Sequence, residues 1–95
     1  MLGQNRRDYR EPEKANIIVR GNDLKGNPFE KPSETKDISA VGIAFYLNTS
    51  VSPQSFLSID LSQSKYFGYR GKVSALVVRI EASTSERKLV AAEFI

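Results

Sequence analysis

Hydrophobic and polar residues alternate along much of this chain, which is the period of β-strands that bury one face. The alternation is clearest over 43–47 and 57–61, and a β-branched run over 17–19 ends at turn-forming residues around Gly21. Weaker patterns predict further segments, namely strands over 34–39, 66–82 and 88–95 and loops over 22–32 and 48–55.

These segments together predict an all-β domain. The stretch 66–82 is apolar on both sides, which indicates burial on both faces or a β-bulge near Gly71. No segment carries a sustained apolar stripe at helical spacing, so little helix is expected. We predict a small six- to seven-stranded antiparallel β-barrel over 16–95, because closure removes the exposed strand edges of a small sheet. Residues 1–15 are polar, charged and without periodicity, and are predicted to form a flexible basic arm.

The composition excludes several classes of function. The chain of 95 residues has no cysteine and no histidine, so disulfides, thiolate metal sites and every Ser-His or Cys-His catalytic pair are ruled out. We therefore predict a non-enzymatic domain with no catalytic residues, no metal and no cofactor. No apolar run approaches the roughly 18 residues that span a bilayer, and the first ten residues lack the core of a signal peptide. A cytoplasmic location is expected, since a chain without cysteine is compatible with a reducing compartment.

The net charge of +3 is not spread evenly along the chain. Arg6, Arg7 and Arg10 lie together near its start with Asp8 as the only opposing charge among them, and Arg6 and Arg10 form an R-x-x-x-R pattern. Clustered guanidinium groups favour an anionic partner, most commonly phosphate. Taken alone, the pattern is also typical of a solvated terminal tail.

A second motif, Asp37-Ile38-Ser39-Ala40-Val41-Gly42, has the form D-x-S-x-x-G and leads directly into the strand over 43–47. Taken alone, it is typical of a turn in which Asp and Ser cap their own backbone and Gly adopts a positive φ.

In combination, the two motifs resemble the PilZ domain family. The resemblance includes the order R-x-x-x-R arm, first strand, D-x-S-x-x-G and apolar strand. It continues through Gly71-Lys72-Val73, similar to the family's later G-x-V element, to a last strand ending in Ala92-Glu93-Phe94, and so covers Arg6 to Phe94. Two features depart from many members: Ser74 and Ala75 stand where an aromatic residue is common, and no helix follows the last strand.

The resemblance implies a receptor for the bacterial second messenger cyclic di-GMP. The family's pattern implies a ligand-binding set from the arm and the barrel wall, consisting of Arg6, Arg7, Arg10, Asp37, Ser39 and Gly42. Arginine forks suit the O6 and N7 acceptors of guanine as well as phosphate oxygens, and a carboxylate suits the N1–H and N2–H₂ donors of guanine. Ligand binding is then expected to order the arm and switch a neighbouring domain or a protein effector, with outputs such as exopolysaccharide synthesis or motility.

Two other functions stay open from the sequence. A PilZ barrel that has lost its ligand could serve as a protein-docking module. A small basic barrel with Tyr46, Tyr66, Phe67 and Tyr69 could also stack on nucleic acid, although the modest charge argues against a polynucleotide partner. The short chain is expected to be a domain of a longer protein, with the cytoplasmic part of a membrane-associated protein as one case, and is not expected to insert directly into a membrane.

Overall fold

The computed structural model describes residues 14–82 and 86–95. Six β-strands account for most of them. The strands are β1 (Asn16–Asn22), β2 (Pro28–Ile38), β3 (Gly42–Leu47), β4 (Phe56–Asp60), β5 (Lys72–Ala82) and β6 (Lys88–Phe94). A single turn of 3₁₀ helix, Gly68–Arg70, precedes β5 and is the one helical element among these residues.

The strands form a closed barrel in the order β1-β2-β3-β6-β5-β4. Every pairing is antiparallel, and the barrel closes where Ile18, Val19 and Arg20 of β1 pair with Asp60, Ile59 and Ser58 of β4. Each strand therefore has a neighbour on both sides, which satisfies backbone groups that an open sheet would expose. The predicted all-β barrel is confirmed, with six strands.

The inward-facing side chains fill the barrel with a largely apolar core, in which Thr35 is a fully buried polar residue. The positions that alternate along β1, β3 and β4 are almost all fully buried, as predicted, and Phe45 is the largest of them. Residues from all six strands and two adjoining loops contribute to this cluster, which consists of Ile17, Val19, Ile38, Ile43, Phe45, Leu47, Val51, Leu57, Ile59, Leu61, Ala75, Val77, Val90 and Ala92.

A β-bulge explains why β5 is apolar on both sides. The pairing of β5 with β6 shifts between Val77 and Arg79. Ala75 and Val77 point inward before this bulge, and Ile80 packs against the core after it, so the inward positions change from odd to even numbers. The sequence analysis placed the bulge near Gly71, which was wrong by several residues.

The segment before β5 is a turn, although its aromatic and β-branched residues had predicted a strand from residue 66. The side chain of Ser64 accepts a hydrogen bond from the backbone N–H of Phe67 at 3.0 Å, and the N–H of Gly68 donates to the carbonyl of Ser64 at 3.1 Å. Gly71 ends the 3₁₀ turn at φ +63°, which favours glycine. Capping and glycine geometry therefore override strand propensity here.

The first connection is also shorter than predicted. The loop between β1 and β2 covers 23–27, where the carboxylate of Asp23 accepts hydrogen bonds from the N–H groups of Lys25 and Asn27, each at 2.9 Å. β2 begins at Pro28 and includes Pro32. Proline is tolerated because this part of β2 pairs with β1 on one side only, the pairing with β3 beginning at Thr35.

The predicted arm, residues 1–15, falls almost entirely outside the described residues, so the division into arm and barrel stays a prediction. β1 begins at Asn16. Within the parts of the chain that the structure describes, no helix has the length and apolar character needed to cross a bilayer.

Core burial leads to a test with two phenylalanines. Phe45 is fully buried, whereas Phe56, at the start of β4, is 65% exposed. Phe45→Ala is expected to lower the free energy of unfolding by about 3–5 kcal/mol, and Phe56→Ala by less than about 1 kcal/mol, since only strand propensity is lost. Urea unfolding followed by circular dichroism measures both. Equal losses in the two variants would contradict the assignment of Phe45 to the core.

Candidate ligand-binding site

Asp37 lies on the outer wall of the barrel, near the end of β2. Thr35 and Ile38 are both fully buried. The pairing of β2 with β3 shifts between Thr35 and Asp37, and this β-bulge changes the core-facing residues of β2 from odd-numbered to even-numbered positions. Because neighbouring residues of a strand face opposite ways, the half-buried Asp37 side chain faces outward next to Ile38. The bulge therefore sets the direction of the carboxylate.

The turn Ser39–Gly42 joins β2 to β3, and Ser39 holds it together. The Ser39 hydroxyl oxygen accepts hydrogen bonds from the backbone N–H groups of Val41 at 3.2 Å and Gly42 at 3.1 Å. The same hydroxyl lies 3.3 Å from the Gly42 carbonyl, to which it donates, and the Ser39 N–H donates to that carbonyl at 2.8 Å. Ser39 is fully buried, so its contacts are with the turn itself.

Gly42 is placed where β3 and β6 come close together. A Cβ built on Gly42 would lie 2.8 Å from the backbone carbonyl oxygen of Ala92, a separation that real Cβ atoms essentially never show. The positive φ expected for Gly42 is not found, since Gly26 and Gly71 are the described glycines with that conformation. Glycine is needed here because the backbone of β6 comes so close.

The outer wall beside Asp37 is lined by short side chains. Ala44 is the pairing partner of Asp37 on β3, and Ala91 of β6 pairs with Ala44 in turn. Gly42 precedes this row and pairs with Glu93. These residues have small side chains, and Ala44 and Ala91 are themselves only 8% and 9% exposed.

Arg70 is a basic residue at this turn that the sequence analysis did not identify. Its Nη1 donates to the carbonyl of Ala40 at 3.1 Å, across 30 residues of sequence. Its guanidinium carbon lies 4.9 Å from the centre of the Phe94 ring, and the N–H of Phe94 donates to the carbonyl of Val41 at 2.9 Å. The 3₁₀ turn and the end of β6 therefore both brace the Ser39–Gly42 turn.

The arm residues of the predicted site, Arg6, Arg7 and Arg10, lie outside the described residues. The structure thus brings together Asp37, Ser39 and Gly42 on the barrel, and the complete set stays a prediction. Among the described residues there is no cluster of three or more acidic side chains that could hold a metal ion.

The four aromatic residues considered for nucleic-acid stacking do not share one surface. Tyr46 lies on the outside of β3 with the Arg87 guanidinium 4.1 Å from its ring centre. Phe67 packs partly against the core. Tyr66 and Tyr69 are exposed in the segment before β5. A continuous stacking platform on the sheet is therefore not formed by these residues.

Comparison with known proteins shows which solved structures share this fold. No protein-family model matches the chain, and no curated relative matches it. Among solved structures, the Bacillus subtilis inhibitor of motility MotI/DgrA is similar over 96% of this chain and 43% of its own, with 21% identity and a TM-score of 0.68. The K. pneumonia MrkH–c-di-GMP complex is similar over 99% of this chain and 46% of its own, with 19% identity and a TM-score of 0.63.

MrkH in its apo state is similar over the same 99% of this chain, with 20% identity and a TM-score of 0.59. The chain spans less than half the length of each of these structures. The likeness confirms the barrel fold that the resemblance to the PilZ family implies. At identities near 20% it is the fold that is shared.

The hydrogen bonds of Ser39 lead to a stability test. Ser39→Ala leaves the buried N–H groups of Val41 and Gly42 without their acceptor, so the free energy of unfolding should fall by about 1–3 kcal/mol. Ser74→Ala, at an exposed position of β5, is the matched control and should change it by less than about 0.5 kcal/mol. Chemical unfolding of both variants measures the difference. A Ser39 variant as stable as the Ser74 variant would show that the turn does not depend on this hydroxyl.

Proposed function

We propose that this domain is a non-catalytic receptor for cyclic di-GMP of the PilZ type. The observation that carries the proposal is the outward-facing Asp37 beside the small side chains of Ala44 and Ala91, on a barrel whose fold is shared with a protein solved in complex with c-di-GMP. In this proposal the R-x-x-x-R arm, which precedes β1 in the sequence, supplies the other half of the site.

The chemistry of the ligand assigns a role to each group. Arg6 and Arg10 bind guanine O6 and N7 and the phosphate oxygens through their planar forks, and Arg7 adds positive charge beside them. The carboxylate of Asp37 accepts hydrogen bonds from the N1–H and N2–H₂ groups of guanine. Ser39 and Gly42 contribute through the turn: the serine fixes its backbone, and the glycine lets the backbone of β6 come close to it.

In this proposal the domain signals because its ligand-binding residues are divided between the arm and the barrel wall. Ordering each residue of the arm costs about 1–2 kcal/mol of conformational entropy, so the ordered state forms only when the ligand supplies the contacts. An arm that docks on the barrel changes what a neighbouring domain or a protein effector meets. The similar structures extend well beyond the matched region, which leaves room for such a neighbour in proteins of this fold.

Isothermal titration calorimetry with cyclic di-GMP tests the receptor proposal. The domain should bind saturably, and Arg10→Ala should weaken binding about tenfold or more, since charged hydrogen bonds contribute about 1.5–3 kcal/mol each. Asp37→Asn should also bind about tenfold more weakly, because a carboxylate oxygen is replaced by an amide donor that opposes the guanine donors. Arg20→Ala is the control, since Arg20 is ion-paired with Glu30 at 2.9 Å on β1 and β2, and should bind as the parent does.

The absence of saturable binding by the parent domain at low salt would overturn the receptor proposal and leave only the fold. Single-stranded polynucleotides serve as the competing ligand. Their affinity should fall steeply with salt if they bind through many phosphates. A polynucleotide that binds more tightly than cyclic di-GMP would favour the nucleic-acid alternative.

A further inference from the structure

We propose that Arg70 is a phosphate-binding residue of the same site, carried by the barrel and held in position before any ligand arrives. The inference rests on the proposed function, which names the ligand, and adds a binding residue outside both sequence motifs. Arg70 lies against Ala40, at the apex of the Ser39–Gly42 turn and three residues beyond Asp37.

The guanidinium group of Arg70 is fixed by two contacts. One N–H of Nη1 is used by the carbonyl of Ala40 at 3.1 Å, and the group lies over the ring of Phe94 with 4.9 Å between its carbon and the ring centre. An arginine side chain that is already ordered loses less conformational entropy on binding than a mobile one. Arg70 is thus already held in position for a ligand.

The remaining donors of Arg70 are available for an anion. A guanidinium has five N–H groups, and within residues 14–82 and 86–95 the Ala40 carbonyl is the one acceptor that Arg70 contacts. Two other arginines of the barrel are ion-paired: Arg20 with Glu30 at 2.9 Å and Arg79 with Glu81 at 2.8 Å. In the described residues no carboxylate lies within ion-pair distance of Arg70.

The charges around the turn explain why a cation is needed there. Asp37 and Glu93 both face outward on the wall around Gly42, since Glu93 is exposed and pairs directly with that glycine. A ligand with two phosphodiester charges is repelled by these carboxylates when it comes close to this part of the barrel wall. Arg70 offsets this repulsion from the barrel side, and no acidic residue occurs in the sequence between Asp60 and Glu81 to weaken it.

The choice of phosphate over guanine follows from the stacking geometry. One face of the guanidinium is occupied by Phe94, while its N–H edge beyond Nη1 has no other partner among the described residues. Edge donors form the paired N–H···O bonds that phosphate oxygens accept. Lysine has no such planar edge, so Arg70→Lys should recover only part of the affinity.

Calorimetric titration with cyclic di-GMP at several salt concentrations tests the inference on the parent domain, Arg70→Gln and Arg20→Gln. Both variants lose one positive charge, so the net charge of the domain is matched. Arg70→Gln should bind about 10–100-fold more weakly, from the usual strength of charged hydrogen bonds. Arg20→Gln, on β1 and ion-paired with Glu30 of β2, should bind within about twofold of the parent.

The salt dependence separates direct binding from a purely structural role. Loss of a phosphate contact removes an electrostatic attraction, so the affinity of Arg70→Gln should fall less steeply with salt than that of the parent. A variant that merely loosens the turn would lose affinity equally at every salt concentration, and that result would overturn the inference.

The remaining outcomes are also decisive. If Arg70→Gln binds as tightly as the parent, the inference fails and the receptor proposal stands. If the parent does not bind cyclic di-GMP, both fail together. Arg70→Lys with an affinity between those of the parent and the glutamine variant would support the planar, paired contact.

Discussion

The structure depends on the pairing of β4 with β1, which converts a six-stranded sheet into a closed barrel. Only three residue pairs make this contact, from Ile18 with Asp60 to Arg20 with Ser58. They bring together strands that are distant in sequence, and so the inward side chains of all six strands meet in one core. A domain of this size buries only a modest apolar core, and without closure its strands would present two edges to solvent.

A closed barrel requires strongly curved strands, and the register shifts in β2 and β5 supply that curvature. The shift in β2 also affects the site. The shift in β2 between Thr35 and Asp37 comes immediately before the Ser39–Gly42 turn. It allows Thr35 and Ile38 both to face the core, so that Asp37 must face the outside. The direction of the proposed ligand-binding carboxylate is thus a consequence of how the sheet bends.

The sequence alone was sufficient to locate the strands whose alternation of apolar and polar residues is a local pattern. The strands with simple alternation, over 43–47 and 57–61, were located within one residue, and their inward sides were correct. The bulge of β5 could not be placed because a bulge is defined by the partner strand, here by the pairing of Val77 and Arg79 with Ala92 and Ala91 of β6. The turn before β5 was missed because a serine cap and two glycines decide its geometry, while the aromatic residues favour a strand.

The same distinction applies to the site. The motif D-x-S-x-x-G was visible in the sequence, whereas Arg70 had no motif and reaches Ala40 only through the folded barrel. The motif also combines two kinds of residue. Ser39 and Gly42 specify the backbone: the buried hydroxyl holds the turn and the missing Cβ makes room for Ala92. Asp37, in contrast, presents its side chain outward.

Residues that shape the turn and residues that face outward from it should respond differently to substitution. Substitution of Ser39 or Gly42 alters stability and ligand affinity together, because both depend on the shape of one turn. Substitution of Asp37 alters the outer surface and leaves the inward neighbours Thr35 and Ile38 in place. A barrel that keeps the serine and glycine but lacks the aspartate would retain its fold, and so the outward residues around this turn, more than the turn itself, decide what the domain binds.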